Sequence, residues 1–324
     1  MGDKAKVFIL CGAGAVSGGA ELAHQFCGKL NSYISGTAKM CYVDLTASMD
    51  ECLPADVDVP ERYLSYGVDL VKDIHEMDSN ECIVVVPEGL TLAIPLFQRA
   101  RIIVWWMSVD NYFKATGGDD IEYIRECVRM HFVQSYYAKK FLEKEFPKAQ
   151  NMWMTDYIRQ EHGQFLYPAE YRQNVVLYNP AKGLEVTKKV MERINWIQWI
   201  PICGRNVEEV VVLMQMAKIY VDFGNHPGRD RIPREAAANG CCVITNREGS
   251  AAFWEDVPIP EQYKIEQPEI QIDEIDKLFH KICGEFSKYQ EDFLEYRNWI
   301  KGERERFDQE VKLFVELLDE NSVL

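Results

Sequence analysis

"YVDFGNHPGRDRIPREAAANGCCVIT", residues 220–245, is the stretch whose reading decides the fold. Two apolar runs, "IYVDF" and "CCVIT", bracket a segment in which Arg229, Asp230, Arg231, Arg234 and Glu235 crowd around Pro227 and Pro233. Apolar runs without alternation read as strands covered on both faces, the pattern of a parallel sheet. Pro227 and Gly228 fit a turn. Pro233 suits the first turn of a helix, where its missing N–H costs nothing, and Gly240 is placed to end that helix. The charged segment is therefore expected at the carboxyl edge of a sheet, where open α/β folds hold ligands.

The residue types in that segment suggest what the ligand is. Arg229 and Arg231 flank the start of the helix, and guanidinium groups beside a helix N-terminus favour a bound anion. Glu235 falls in the first turn, where a carboxylate accepts hydrogen bonds from hydroxyls. Arginines for phosphate and a carboxylate for ribose make a nucleoside-diphosphate site. The competing reading is a surface salt-bridge cluster, worth about 0–1 kcal/mol per pair.

Outward from this stretch, strand and helix patterns alternate through the chain. The first half runs "KVFILCG" strand, "GGAELAHQFCGKLNSY" helix, "AKMCYVDL" strand, "YLSYGVDLVKDIHEM" helix and "CIVVVPE" strand. It continues through "RIIVWWMS" strand, "DIEYIRECVRM" helix, "HFVQS" strand and "YAKKFLEKEF" helix, with "MWMTDYI" as a further candidate strand. The polar segment 159–173 interrupts the series. "NVVLYNP", "WIQWIPICG", "IYVDFG" and "CCVIT" then alternate with helical stretches. The fold class is α/β, with two Rossmann-like domains facing across a cleft. The boundary is placed at 165/166, giving domains 1–165 and 166–324, and the helical tail from "IDEIDKLFHKI" to "VKLFVELLD" is assigned to the second.

Two more loops lie where an anion could bind. "CGAGAVSGGAE", 11–21, follows a strand and opens a helix, and its glycines, Gly18 and Gly19 among them, allow close approach of a ligand. Its spacing is G-x-G-x-x-x-G, one residue longer than a dinucleotide fingerprint, with Asp44 as the acid of the next strand. A glycine-rich turn without a ligand remains open. "YNPAKGLE", 178–185, sets Lys182 and Gly183 before a helix, and a lysine there adds a mobile point charge to the backbone donors. Base selectivity is expected around Tyr178, Gly204 and Arg205.

"GGAE" after the first strand, "NPAKG" at the start of the second domain and "REAAANGCCVIT" together resemble the retaining GT-B glycosyltransferases of family 4. The similarity covers most of the chain in order, with isolated matches in the first half. It implies a nucleotide-sugar donor in the second domain and a saccharide or lipid-linked saccharide acceptor in the first. Lys182 and Arg229 or Arg231 would face the donor diphosphate, Glu235 would hold the ribose, Gly18 and Gly19 would line the cleft near the phosphates and the transferred sugar, and Gly228 would lie in the donor loop. "REGSA", 247–251, falls where the family has another glycine loop. The pattern departs at Pro227, which stands where the family has the first of two glutamates; His226 and Asp230 are the candidate substitutes. The family's histidine in the first domain has no counterpart, and Asp110 in "WWMSVDNYF" is the candidate contact for acceptor or transferred sugar, with turn capping as its alternative. The implied reaction is sugar transfer with retention, without metal or separate cofactor, catalysed through Lys182 and Arg231, in surface polysaccharide or glycoconjugate synthesis.

Composition sets limits on the rest. The 324 residues carry a net charge of −15, against the basic stripe expected of a nucleic-acid binder. Lys139, Lys140, Lys144 and Lys148 form the nearest basic face; it reads as a solvated helix interleaved with Glu143 and Glu145, or as a peripheral contact for anionic lipid headgroups at the inner membrane face. Ten scattered cysteines without C-x-x-C, a start without signal-peptide character and no long apolar run together suggest a cytoplasmic protein. Two rivals stand. Tyr136 and Lys140, with the glycine loop and Asp44, imitate an NAD-dependent oxidoreductase, while the missing motif glutamate suits a nucleotide-sugar-binding or partner subunit that does not turn over.

Overall fold

The computed structural model describes residues 5–48 and 51–319. Two compact units emerge, one of residues 1–156 with 304–324, the other of residues 157–303.

The first unit contains strands β1 (Lys6–Gly12), β2 (Ala38–Val43), β3 (Asp69–Leu70), β4 (Cys82–Pro87), β5 (Arg101–Trp106), β6 (Met130–Val133) and β7 (Gln150–Trp153). Helices α1 (Gly18–Tyr33), α2 (Val109–Thr116), α3 (Ile121–Cys127) and α4 (Tyr136–Glu145) join them. Every pairing is parallel and the order is β3-β2-β1-β4-β5-β6-β7. Burial explains the apolar runs, since β4 is buried at all six positions. Trp105 and Trp106 are both fully buried. One indole N–H donates to the Met154 carbonyl at 3.1 Å and the other to His131 Nδ1 at 3.0 Å. Each tryptophan thus buries its ring area without stranding a donor.

The second unit contains β8 (Gln173–Tyr178), β9 (Gln198–Pro201), β10 (Ala217–Asp222) and β11 (Cys242–Thr245). Its helices are α5 (Leu184–Arg193), α6 (Val207–Met216), α7 (Arg231–Ala238), α8 (Ile272–Gly284), α9 (Phe286–Glu291) and α10 (Leu294–Lys301). The sheet is again parallel, in the order β11-β10-β8-β9.

Three expectations need revision. The stretch 63–77 is not a continuous helix: a 3-10 turn at Glu61–Tyr66 ends at Gly67 in the left-handed region (φ 59°), and β3 then pairs with β2. Its helical spacing gives way because a left-handed glycine breaks the run and backbone groups beyond it join the sheet edge. The division falls between Asp156 and Tyr157, before the expected 165/166, so the polar segment belongs to the second unit. The last helix, α11 (Glu303–Asp319), returns to the first unit after its opening residue. Phe314 packs on Phe26 and Phe132 at centroid distances of 5.7 and 5.1 Å, and Glu310 accepts the Thr155 N–H at 2.7 Å. Helical periodicity shows that a face is apolar, not which sheet it will cover.

No helix among the described residues is long and apolar enough to cross a membrane. On α4, Lys140 pairs with Glu143 at 2.9 Å and Lys144 with Glu145 at 2.8 Å, while Lys139 lies over the Trp153 ring.

Candidate functional site

In a parallel sheet, loops diverge where the strand order reverses, and the gap outside the carboxyl ends there is the usual ligand position. In the second unit that point lies between β8 and β10. Two loops meet at it, 179–183 after β8 and 223–230 after β10. Asn179 Oδ1 accepts the Ala181 N–H at 3.0 Å and turns the chain toward α5. Gly183, at φ 58°, caps the helix, and a Cβ there would lie 2.4 Å from the Phe223 carbonyl oxygen. Only glycine lets the two loops touch, and that contact places Lys182 beside the loop after β10.

Lys182 Nζ donates to both oxygens of Asp230, at 2.6 and 2.7 Å. His226 Nδ1 lies 3.1 Å from Asp230 Oδ2, and its Nε2 lies 3.8 Å from Asp222 Oδ1. Asp222 closes the chain of contacts, accepting the Tyr220 hydroxyl at 2.9 Å and the Gly224 N–H at 3.3 Å. Burial raises the Asp222 pKa above the usual carboxylate value. Burial also opposes charge on His226, yet the Asp230 hydrogen bond and the field of both carboxylates leave its pKa raised. For Asp230 burial is again outweighed, here by His226 and Lys182, and its pKa is lowered. The cluster is therefore anionic at Asp230, the carboxylate nearest solvent, and grades inward to buried groups.

Asp222, His226 and Asp230 offer ligand atoms within 4.8 Å of one another, a donor set of metal-binding chemistry. The ammonium of Lys182 pairs with both Asp230 oxygens, so the chain itself supplies a cation to one member of this set. The loop after β11 holds the arrangement from behind. Ser250 N donates to the His226 carbonyl at 2.8 Å, Ser250 Oγ to that of Gly228 at 2.6 Å, and Asn246 Nδ2 to that of Gly224 at 2.9 Å.

Asp230 is also the N-cap position of α7, but its side chain makes no hydrogen bond to the helix's first N–H groups. The carboxylate is committed to Lys182 and His226. The N-terminus of α7 thus keeps its backbone dipole beside a lysine, with half-buried Arg231 as its first residue and Glu235 one turn on.

Arg229 is placed differently from the expectation that it meets a phosphate. It is 7% exposed, donates to Glu303 Oε1 at 2.9 Å and stacks over Trp299 at 4.1 Å. Arg234, 1% exposed, donates to the same oxygen at 2.9 Å and to the carbonyls of Asp230 and Arg229 at 3.1 and 3.0 Å. Glu303 Oε2 accepts the Ile158 N–H at 3.1 Å. Burial has turned these two arginines into a frame that sets the backbone of residues 229–230. Gly228 lies buried within that frame, and Gly204 is exposed in the loop after β9 at φ 71°.

In the first unit the reversal lies between β1 and β4. Ser17 caps α1 by accepting the Ala20 N–H at 3.1 Å, and the Tyr63 hydroxyl holds the Ser17 backbone, so Gly18 and Gly19 open the helix on a fixed turn. Glu88 follows β4, 5% exposed, and its Oε2 accepts the Met107 N–H at 3.0 Å. Burial pushes its pKa up to about 7. Met107 in turn reaches Gly19, where a Cβ would lie 3.5 Å from its sulfur. Asp110 stands in the first turn of α2 and accepts the Tyr137 hydroxyl at 2.7 Å. Asp44 closes its own turn on Thr46, at 2.8 Å to the N–H and 2.7 Å to the hydroxyl.

Glu88 and Asp222 are not singled out in the sequence reading, although both carry a signal, an acid at the end of an apolar strand.

No protein-family model matches the chain, and no curated protein matches it. Solved structures do. Sucrose-phosphate synthase from Thermosynechococcus elongatus superposes with a TM-score of 0.67 at 11% identity, covering 98% of this chain and 100% of that one. HepE from Anabaena, in complex with UDP, gives 0.65 at 8% identity, covering 96% and 99%. The pneumococcal O-GlcNAc transferase GtfA, in complex with UDP and GlcNAc, gives 0.63 at 10% identity, covering 98% and 99%. Identities this low speak for architecture alone. The chain has the α/β GT-B fold.

Proposed function

We propose that this chain, with the GT-B fold as its premise, is a glycosyltransferase that takes a nucleoside-diphosphate sugar at the reversal point of the second sheet. One observation carries the reading: a lysine and an uncapped eight-residue helix converge at the ligand edge of β8 and β10, with a carboxylate one turn further along that helix. This offers a diphosphate a lysine and free backbone dipoles, followed by an acceptor of hydroxyl hydrogen bonds. That HepE and GtfA are named in complex with UDP agrees with the choice of ligand.

On binding, the diphosphate takes Lys182 from Asp230, and Asp230 stays satisfied by His226. Arg231 and the first N–H groups of α7 stabilise the charge that grows on the leaving phosphate. Glu235 holds the ribose. The bond from the anomeric carbon to the phosphate oxygen breaks while the acceptor oxygen bonds to that carbon. The acceptor's proton passes to the departing phosphate oxygen, on the same face, so configuration is retained. Lys182 supplies the positive charge that a divalent ion supplies elsewhere, and the reaction needs no metal. The acceptor, a saccharide or lipid-linked saccharide of a surface polysaccharide pathway, meets the first unit near Gly18, Gly19 and Asp110. A cytoplasmic protein with the α4 lysines at the inner membrane face suits such an acceptor.

A second reading rests on Pro227: without the family's first glutamate, the chain binds the donor and does not turn it over. Donor hydrolysis by wild type against an Arg231→Ala, Glu235→Ala double variant separates the two. A wild-type rate at least about tenfold above the variant supports transfer, and equal rates support the binder.

A further inference from the structure

His162 belongs to the second unit, in a turn closed by its own N–H on the Arg159 carbonyl at 3.2 Å. The turn is docked on the end of α7. Gly163, at φ 72°, donates its N–H to Asn239 Oδ1 at 3.3 Å, and a Cβ on it would lie 3.2 Å from that of Ala238. Because a backbone N–H occupies the amide oxygen, the Asn239 side chain is oriented, and its Nδ2 is the donor on the other side. That Nδ2 donates to the Glu235 carbonyl at 2.9 Å and meets His162 Nδ1 at 2.8 Å. His162 Nδ1 must then accept, which puts the ring's proton on Nε2. Nε2 lies 3.8 Å from Glu235 Oε2. The side chain is 3% exposed, and burial lowers its pKa, so it stands as a neutral N–H donor. At 3.8 Å the contact is longer than a hydrogen bond, so the Nε2–H faces the carboxylate as a neighbouring dipole, and a short shift of the partly exposed Glu235 side chain would complete the bond.

We propose that His162 is a positioning residue that aims the Glu235 carboxylate at a ribose hydroxyl, so that the site selects ribonucleotides over deoxyribonucleotides through a pair tied together by Asn239. The inference rests on the proposed function, which gives Glu235 the ribose. Nothing in the short-range pattern announces it, because His162 and Asn239 are 77 residues apart.

The test titrates the full chain with UDP, GDP and ADP and with their 2′-deoxy and 3′-deoxy counterparts. The variants are His162→Ala, His162→Gln, which keeps an N–H donor, and Glu235→Ala. Wild type should prefer the ribose form of its nucleotide by about tenfold or more, as expected for losing a hydrogen bond to a charged group. His162→Ala should collapse most of that preference by weakening the ribose form alone, and His162→Gln should restore part of it. A loosened fold would weaken both forms equally, leaving the ratio unchanged, and that result overturns the inference. So does a ratio collapsed by Glu235→Ala but untouched in both His162 variants, with the ribose reading intact. If wild type binds none of the diphosphates, or Glu235→Ala leaves the preference unchanged, the reading of Glu235 falls first and the inference with it.

Discussion

The two sheets reverse their order in the same way and furnish the two reversal points with opposite chemistry. Between β1 and β4 the ligand edge has a glycine turn, hydroxyl contacts and Glu88, whose pKa burial raises to about 7. Between β8 and β10 it has Lys182, His226 and Asp230 in direct contact, beside Arg231. The first edge holds a buried carboxyl whose charge burial opposes and the second a contiguous set of ion-paired side chains; under the proposed function the first meets the acceptor and the second the diphosphate. The charged edge is itself split. Its inner pair of arginines is spent on Glu303, and its outer cations lie toward solvent. Burial, more than residue type, separates frame from site.

The largest expected effect tests that split. Glu303→Ala leaves Arg229 and Arg234 buried without their carboxylate and should destabilise the protein by about 3–5 kcal/mol in chemical denaturation. A loss under about 1 kcal/mol would mean that the inner arginines are not a frame.

Next comes the edge that holds Glu88. With the Glu88 pKa raised from 4.5 to about 7, the folded protein holds a proton that the unfolded chain has released over that window. Stability is therefore greatest below the unfolded value and falls as pH rises through the folded one, by on the order of 3 kcal/mol at most. Glu88→Gln should remove that part of the pH dependence, read as denaturation midpoints from pH 5 to pH 8. Parallel profiles for wild type and variant would show Glu88 to be ionised and the contrast between the edges to be false.

The smallest effect on folding belongs to the outer cluster. Lys182 is 32% exposed, and Lys182→Ala should cost about 1 kcal/mol or less. A loss as large as that for Glu303→Ala would make Lys182 part of the frame.

Much of this was legible in the sequence. The strands of the second sheet were read from apolar runs, and α1 was read to its ends, because parallel strands and capped helices leave local marks. The helix expected at 63–77 fails at Gly67, where one left-handed residue outweighs an apolar period. Lys182, Arg231 and Glu235 could be assigned to the carboxyl edge of the second sheet because loops at the ends of strands have a position that topology predicts. The inward placing of Arg229 and the contact of His162 with Asn239 leave no local mark, because Glu303 and Asn239 are distant in sequence. Which arginine faces inward is settled by tertiary packing.

The most direct test of the central claim is thermal unfolding of wild type and Lys182→Ala with UDP, GDP, ADP, CMP and NAD. The account predicts that one nucleoside diphosphate stabilises wild type by roughly 2.7 kcal/mol at about a hundred times its dissociation constant. It also predicts that Lys182→Ala, equally folded, loses most of that shift at the same concentration. Stabilisation by NAD alone, no response to any diphosphate, or an equal response from the variant would contradict it.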